Sequence, residues 1–313
     1  MKPGLFLTAL TGLLLSGCTL FIPQKPRADI FDTGLQQDFI LVMEHQEITR
    51  MATIHMPDGY QSSGKYPLVL VMHGGGGNAG NAKEMTGMNT IADKNGFIVV
   101  YPNGTGKLNN RLLTWNAGDC CGYAQENQID DVGFLVSLID TLVQRLPVNK
   151  KKVYATGMSN GGMMAYRLAH DRPDMVAAIA PVVATMALNE ISPKGSVSVL
   201  AINGMKDQHV PYEGGIGPES IVKQDWRPVE ESIMTWVRAN HCDPVPVVIS
   251  KPTYRIDLYS SKNPFYEVIL YSLYEGEHAW PGGKKGSLIG DKPEPELNAS
   301  QIIWDFFNRH SKP

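Results

Sequence analysis

Ser159 lies in the pattern Gly-x-Ser-x-Gly, read as "GMSNG" at residues 157–161. The segment "KVYATG" before it is typical of a buried strand, and "GGMMAYRLAH" after it has helical spacing. A serine at such a sharp turn projects its hydroxyl above the sheet, and the N–H of Asn160 would face a developing oxyanion. Ser159 is therefore a candidate nucleophile. The alternative is an ordinary serine in a glycine-rich turn.

A serine hydroxyl needs a histidine to accept its proton and a carboxylate to orient that histidine. Where a nucleophilic serine lies between a strand and a helix of an α/β sheet, the acid and then the histidine follow the serine along the chain. Asp207, in "NGMKDQHVPYEGG", directly follows an apolar strand, and His278, in "LYEGEHAWPGG", follows the last strand. We predict that these two residues complete a triad with Ser159. The less well placed alternatives downstream are His170, His209, His241, His310, Asp225 and Asp243.

The segment "VMHGGGGNAG" ends an apolar run in four glycines that follow His73. It predicts a loop whose N–H groups, from Gly74 and Gly75, join that of Asn160 in an oxyanion hole. A phosphate-binding loop is the rival interpretation, but no Lys-Ser or Lys-Thr follows the last glycine. His73 itself is expected to hold the loop in place.

The elements around these motifs alternate between strands and helices. "DFILVMEHQEITRMATIHMP" predicts an antiparallel pair, and "YPLVLVM", "FIVVYP", "KVYATG", "VAAIAPVV", "SVLAING" and "EVILYSLY" predict further strands. Helices are predicted at "NTIADKNG", "DDVGFLVSLIDTLVQRL" and "GMMAYRLAHD", near residues 229–240, and at "ASQIIWDFFNRH". This order indicates an α/β fold: one doubly wound, mostly parallel sheet with helices on both faces. We assign residues 35–313 to one catalytic domain.

The 313-residue chain has a formal net charge of -3, and its basic residues form no extended cluster. Nucleic-acid binding is therefore not expected, since such proteins gather Lys and Arg on one face. No zinc site is expected, because the cysteines have no histidine at ligand spacing near them, and catalysis by a serine, a histidine and a carboxylate needs no metal or organic cofactor.

The first residues have the features of a processing segment. Lys2 precedes an apolar stretch too short to span a membrane, and the stretch ends in Leu15-Ser16-Gly17-Cys18. This ending resembles a lipoprotein cleavage site, so we expect a signal peptide at 1–17, lipidation of Cys18 and a tether at 18–34. The alternative is a plain signal peptide. Export, with a membrane anchor through Cys18 (on the outer membrane in a Gram-negative host), is the expected localisation.

Cys120, Cys121 and Cys242 would then lie in an oxidising compartment. An odd number of cysteines predicts one disulfide and one buried thiol. We expect Cys242 to pair with Cys120 or Cys121.

The combined motifs "HGGGG", "TWNAGDCCGYA", "DDVGFL", "VYATGMSNGGMMAYRLA", "NGMKDQHVPYEGG" and "EGEHAWPGG" closely resemble poly(3-hydroxybutyrate) depolymerase-like esterases. These are related to the feruloyl and acetyl-xylan esterases of carbohydrate esterase family one. The resemblance covers nearly all of the chain after the tether, and it implies an α/β-hydrolase fold with the triad Ser159, Asp207 and His278. Glu277 departs from the pattern, where a glycine is expected.

The resemblance also implies residues that line the active-site mouth. Trp115, His73 and Trp280 are the candidates for substrate contact, although packing of its loop is an equally good interpretation of Trp115. Asp131 is expected to hold this loop from the start of its helix. The implied activity is hydrolysis of short polyesters or polyhydroxyalkanoate-type oligomers. The alternatives are a feruloyl or acetyl-xylan esterase and a binding lipoprotein without turnover.

Overall fold

In the part of the chain that the structure describes, ten strands form one mixed sheet. A computed structural model describes residues 37–108, 110–286 and 290–313, all within one compact unit. The strands of this sheet are β1 Asp38–His45, β2 Ile48–His55, β3 Tyr66–Met72, β4 Ile98–Pro102, β5 Val148–Met158, β6 Ala178–Val182, β7 Ser198–Gly204, β10 Val247–Ser250, β11 Tyr254–Ser260 and β12 Glu267–Leu273. Across the sheet their order is β1-β2-β4-β3-β5-β6-β7-β12-β11-β10.

The six central strands, β4, β3, β5, β6, β7 and β12, are parallel. Their sequences are continuous apolar runs such as "LVLVM" and "IVVY", because a parallel sheet covered by helices is buried on both faces. Since all six run in one direction, the loops after their carboxyl ends lie along the same edge of the sheet. The segments that follow β3, β5, β7 and β12 therefore meet there.

Antiparallel strands extend both sides of this parallel centre. The hairpin β1–β2 joins through β2 to β4, with Ala52 opposite Pro102. At the other side β11 pairs with β12, and β10 pairs with β11 as the outer strand. A separate two-stranded ribbon, β8 Gly215–Ile216 with β9 Asp225–Trp226, lies in the long segment after β7.

Seven helices are found among the described residues. They are α1 Ala79–Thr86, α2 Met88–Asn95, α3 Gly122–Glu126, α4 Asp131–Arg145, α5 Asn160–Asp171, α6 Val229–Ala239 and α7 Ala299–Asn308. Side-chain caps start three of them: Asn78 accepts from Asn81 N–H, Asp130 from Gly133 N–H, and Asn298 from Gln301 N–H. These caps satisfy N–H groups that have no partner inside the helix.

The helices cover both faces of the sheet. The apolar sides of helices α1, α2 and α7 pack against one face of the sheet. That face is formed by alternate strand residues, such as Val69 and Val71 of β3. The alternate residues of β3, Leu68 and Leu70, are also fully buried, and helices α4, α5 and α6 pack on strands of the parallel centre. The alternation of side chains in a strand explains this division into two apolar layers.

The predicted doubly wound, mostly parallel fold is confirmed, as are the β1–β2 pair and each predicted strand and helix. No sequence pattern predicted α1, α3, the small ribbon or the two strands β10 and β11. All four residues of β10 are exposed, so no inward-facing apolar pattern marks this strand. The predicted signal peptide, the lipidated Cys18 and the tether lie outside the described residues. Within the described part of the chain, no helix is long and apolar enough to cross a bilayer.

Candidate active site

Ser159 forms the turn between β5 and α5. Its backbone has φ of 55° and ψ of −124°, a positive φ that is unfavourable for a residue with a side chain. Hydrogen bonds fix this conformation, because Ser159 N–H donates to Val182 O at 2.9 Å and Met163 N–H donates to Ser159 O at 2.8 Å. A strained serine held in this way costs about 1–3 kcal/mol, which the packed strand and helix on either side must offset.

The two glycines of the motif allow β5, β3 and α5 to approach closely. A Cβ on Gly157 would lie 2.7 Å from Met72 O, and one on Gly161 would lie 2.5 Å from His73 O. Both contacts are with backbone atoms that cannot move aside. The glycines are therefore required by excluded volume, as the Gly-x-Ser-x-Gly pattern predicts.

The glycine loop after β3 crosses directly over this turn. A Cβ built on Gly74 would lie 3.7 Å from Ser159 Cβ, and one on Gly75 would lie 3.7 Å from Asn160 Cβ. The hydrogen bonds found among the described residues use neither Gly75 N–H nor Asn160 N–H. Asn160 is the first residue of α5, where the helix dipole adds positive potential. The loop and the helix terminus together can stabilise an oxyanion near Ser159.

His73 holds the glycine loop. Gly104 N–H donates to its Nε2 at 3.0 Å, so the ring proton lies on Nδ1, which donates to Gly74 O at 2.8 Å. Complete burial lowers the pKa of His73 to about 4, and the ring is therefore neutral at pH 7. The expectation that His73 pins the loop agrees with these bonds, whereas its assignment as a substrate contact is corrected by its 1% exposure.

Trp115 holds Asn160 rather than a substrate. Its N–H donates to Asn160 Oδ1 at 2.7 Å, and Asn160 Nδ2 donates to Trp115 O at 2.9 Å. The indole donates to His73 O and packs against the His73 ring at 5.1 Å. Trp115 is 0% exposed, so the packing interpretation replaces the predicted substrate contact.

A buried ion pair supports the Trp115 segment from below. Asp131 accepts from Arg50 Nη2 at 2.6 Å and from Asn116 N–H at 2.8 Å. Arg50 also donates to Asn103 O, and its guanidinium lies 3.8 Å from the centre of the Phe134 ring. Asp131 thus holds the loop directly through Asn116 N–H, and Arg50, which was not identified from the sequence, pairs with its charge. The available signal was spacing, since Arg50 shares a strand face with the buried Ala52 and Ile54.

The acid and the base of the predicted triad are in direct contact. His278 Nδ1 lies 2.7 Å from Asp207 Oδ2. The other carboxylate oxygen of Asp207 accepts the N–H groups of His209 and Val210, both at 2.8 Å. Asp207 is buried, while the His278 side chain keeps 12% of its surface exposed. With Nδ1 bonded to the carboxylate, Nε2 of His278 is left to exchange a proton.

Polar side chains surround His278 on its other sides. Its backbone N–H donates to Asp291 Oδ2 at 3.0 Å, and its ring packs against the His209 ring with centroids 4.9 Å apart. His209 Nε2 lies 3.6 Å from Asp291 and 3.8 Å from Glu219. In the described part of the chain, His209, Glu219 and Asp291 form the group that could hold a cation, because their donor atoms all lie within 4.8 Å of one another. Asp291 was not identified from the sequence.

Trp280, the third predicted substrate contact, is also buried. It is 1% exposed, and its indole N–H donates to Ser300 Oγ at 3.0 Å, which in turn donates to Thr86 O. Trp280 therefore anchors the loop after His278 to α7 and α1, and its assignment as a substrate contact is corrected. A tryptophan in a loop can still bury its large indole ring in the core, and its position in the sequence does not reveal this.

The cysteines pair differently from the expectation. A disulfide joins Cys120 to Cys121, and Cys242 is a buried free thiol. Cys120 and Cys121 pack with Met163 of α5 and with Trp226. Cys242 follows α6, and its backbone forms an isolated β-bridge with Ser261, next to β11. The predicted pairing with Cys242 is corrected, because the two regions belong to different parts of the fold.

The remaining histidines serve other contacts. His170 lies on α5 and bonds to Asp171, and His241 follows the end of α6. His310, which follows α7, is buried and bonds to Phe306 O and Glu267. Asp225 and Asp243, the alternative acids, are exposed.

The site therefore combines a strained serine, a buried Asp207 bonded to a partly exposed His278, and free backbone N–H groups at the edge where the parallel strands end. These are the parts that acyl transfer requires. Residues 51–206 match the family described as "Esterase PHB depolymerase". The chain is 30% identical over 260 residues to "Putative esterase NocK" from Nocardia uniformis subsp. tsuyamanensis, covering 77% of this chain and 73% of that protein.

The chain belongs to the esterase PHB depolymerase family. It is 25% identical over 271 residues to feruloyl esterase B from Piromyces equi, covering 84% of this chain but only 46% of that larger protein. The solved acetyl xylan esterase from Aspergillus awamori superimposes with a TM-score of 0.57 over 84% of this chain and 99% of that one, at 13% identity. This likeness shows the α/β-hydrolase fold. As a member of this esterase family, the chain is a carboxylic ester hydrolase.

Proposed function

We propose that this esterase works through an acyl-enzyme intermediate on Ser159. The observation that carries the proposal is the Asp207–His278 hydrogen bond at the sheet edge where the Ser159 turn projects. A histidine oriented by a buried carboxylate beside a serine at a strand-to-helix turn is the arrangement that activates a serine hydroxyl.

In the first step His278 Nε2 takes the hydroxyl proton as Ser159 Oγ attacks the ester carbonyl carbon. Asp207 stabilises the resulting imidazolium, and the oxyanion accepts hydrogen bonds from Asn160 N–H and the Gly74–Gly75 segment. Collapse of the tetrahedral intermediate breaks the bond to the alcohol, which leaves with the proton from His278. Water, activated by the same histidine, then hydrolyses the acyl-enzyme and restores Ser159.

We propose short polyesters, such as hydroxyalkanoate oligomers, as the substrate class, supported by the family description. A second candidate is a feruloyl or acetyl ester of xylan, which is supported by the names of the feruloyl esterase and acetyl xylan esterase relatives. A binding protein without turnover is the least favoured alternative, since every triad residue is in the chain.

We also propose that the esterase is exported and held on a membrane through Cys18. The support is the sequence Leu15-Ser16-Gly17-Cys18 after an apolar stretch. Metabolic palmitate labelling tests the anchor, and a Cys18→Ser form that stays membrane-bound would contradict it.

The first experiment compares wild type with Ser159→Ala on p-nitrophenyl butyrate. We expect a loss of at least about a thousandfold in kcat, because the covalent step is lost. A fluorophosphonate probe should label wild type at Ser159 and leave the variant unlabelled. Retained hydrolysis in the variant would contradict the mechanism.

A panel of hydroxybutyrate oligomers, methyl ferulate and acetylated xylan then separates the substrate classes. Product release is followed for each substrate, with Ser159→Ala as the blank. Preference for methyl ferulate or xylan over the oligomers would replace our first substrate class with the second.

A further inference from the structure

The catalytic histidine is bonded at two separate points. Asp207 Oδ2 accepts from the imidazole, and Asp291 Oδ2 accepts from the backbone N–H of the same residue at 3.0 Å. Asp291 lies farther along the connection from β12 to α7, so this bond closes the loop on itself. One carboxylate holds the ring, and the other holds the main chain that carries it.

The second bond matters because a ring held at one nitrogen can still move with its main chain. Backbone bonds anchor the start of the loop to the end of β7, where Lys206 N–H donates to Gly276 O at 2.9 Å. Trp280 anchors it beyond His278. Between these anchors, Asp291 bonds the main chain of His278 itself. Displacement of a reacting group by about 1 Å costs up to about a hundredfold in rate.

The carboxylate of Asp291 also lies beside His209 of the Asp207 segment. His209 Nε2 lies 3.6 Å from Asp291, the His209 ring packs on the His278 ring, and the His209 N–H donates to Asp207 Oδ1. Asp207, His278, Asp291 and His209 thus form a closed circuit of contacts. Glu219, whose carboxylate lies 3.8 Å from His209, is a further charged group beside these residues.

We propose that Asp291 is a positioning residue for the esterase reaction, which holds the main chain of His278 so that Nε2 reaches Ser159. This inference rests on the proposed function of Ser159. The hydrogen bond, rather than the charge, carries the effect, because the bond joins Asp291 to a neutral backbone N–H.

The test compares Asp291→Ala with Asp291→Asn in the full-length protein. Asp291→Ala should lower kcat for p-nitrophenyl butyrate about 10- to 100-fold and change KM less than twofold. The rate of phosphonylation by a fluorophosphonate should fall in parallel. Asparagine can accept the same N–H, so Asp291→Asn should recover kcat to within about threefold of wild type.

Controls separate positioning from folding and from the proposed mechanism. The phosphonylation endpoint counts folded active sites, and all rates are divided by it. Asp243→Ala, which removes a carboxylate that accepts Val245 N–H at 2.9 Å in an exposed loop, should leave kcat unchanged. Equal per-site rates in Asp291→Ala and wild type would overturn the inference, as would equal losses in Asp291→Ala and Asp291→Asn. Activity retained in Ser159→Ala, measured in parallel, would instead refute the proposed function.

Discussion

The two sides of the active site are built in different ways. On the serine side, His73, Trp115, Asn160 and Asp131 are buried and bond mainly to backbone atoms of neighbouring segments. On the histidine side, His278 is partly exposed and lies in a long loop, where it is held by hydrogen bonds that it donates to two carboxylates. The serine side is therefore part of the protein core, whereas His278 lies in a loop that packs on the core and depends on a few side-chain hydrogen bonds for its position.

This contrast predicts a separation of effects. Substitutions on the histidine side should lower activity with little change in the free energy of unfolding. Substitutions that remove a buried charge below the serine side should lower that free energy, while the molecules that remain folded keep most of their activity.

Asp207→Asn should produce the largest change. The amide neither stabilises the imidazolium nor keeps the ring proton on Nδ1, so kcat should fall about a thousand- to ten-thousandfold. The melting temperature should change by only a few degrees, since asparagine can still accept the two backbone N–H groups. Steady-state kinetics measures the loss of kcat, and calorimetry on the same preparation measures the melting temperature. A large fall in melting temperature would show that Asp207 stabilises the fold as the residues of the serine side do.

Arg50→Met should give the next largest effect, on stability. It leaves Asp131 as an unpaired charge in the interior, which costs about 3–5 kcal/mol in the free energy of unfolding. Adding Asp131→Asn removes that charge and keeps an acceptor for Asn116 N–H, so the double variant should recover at least half of the loss. Urea unfolding measures both.

The rate per active site in Arg50→Met, counted by fluorophosphonate labelling, should stay within about threefold of wild type. A large fall of this rate in protein that remains folded would show that Arg50 supports catalysis as well as stability, and the proposed difference between the two sides would be wrong.

His73 should make the smallest of these contributions, and only as the pH falls. Its folded pKa of about 4 lies below the ordinary value of 6.5, so its neutral form stabilises the fold above pH 6.5. That stability is lost as the pH falls from 6.5 to 4, by up to about 3 kcal/mol. The difference in unfolding free energy between wild type and His73→Asn should therefore narrow across this range. An unchanged difference from pH 7 to pH 4 would show that His73 does not resist protonation.

The sequence was most informative where neighbouring residues determine the structure. The turn at Ser159 and its glycines are specified within a few residues, and the strand pattern predicts that segments after β7 and β12 share one edge. The doubly wound sheet follows from the same alternation of apolar runs and amphipathic segments.

The sequence was least informative where distant segments meet. Arg50 lies in a strand that also carries polar residues, and its burial is explained by contacts with other elements, above all the ion pair with Asp131. Asp291 lies in a polar, proline-containing stretch with no local motif. Trp115 and Trp280 were interpreted as substrate contacts because a loop position does not reveal that the ring turns into the core.

The close approach of β3 to the serine turn also limits how this protein can vary. Any side chain at position 157 or 161 would collide with the backbone of the neighbouring strand or of His73. Position 159 is limited by chemistry and by its positive φ, and position 160 by the two bonds to Trp115. Of the five residues from 157 to 161, Met158 is the least limited, since its half-buried side chain packs against the apolar core without a backbone collision. New substrate preferences in descendants of this sequence would therefore have to arise in the loops around the turn, with the turn itself inherited unchanged.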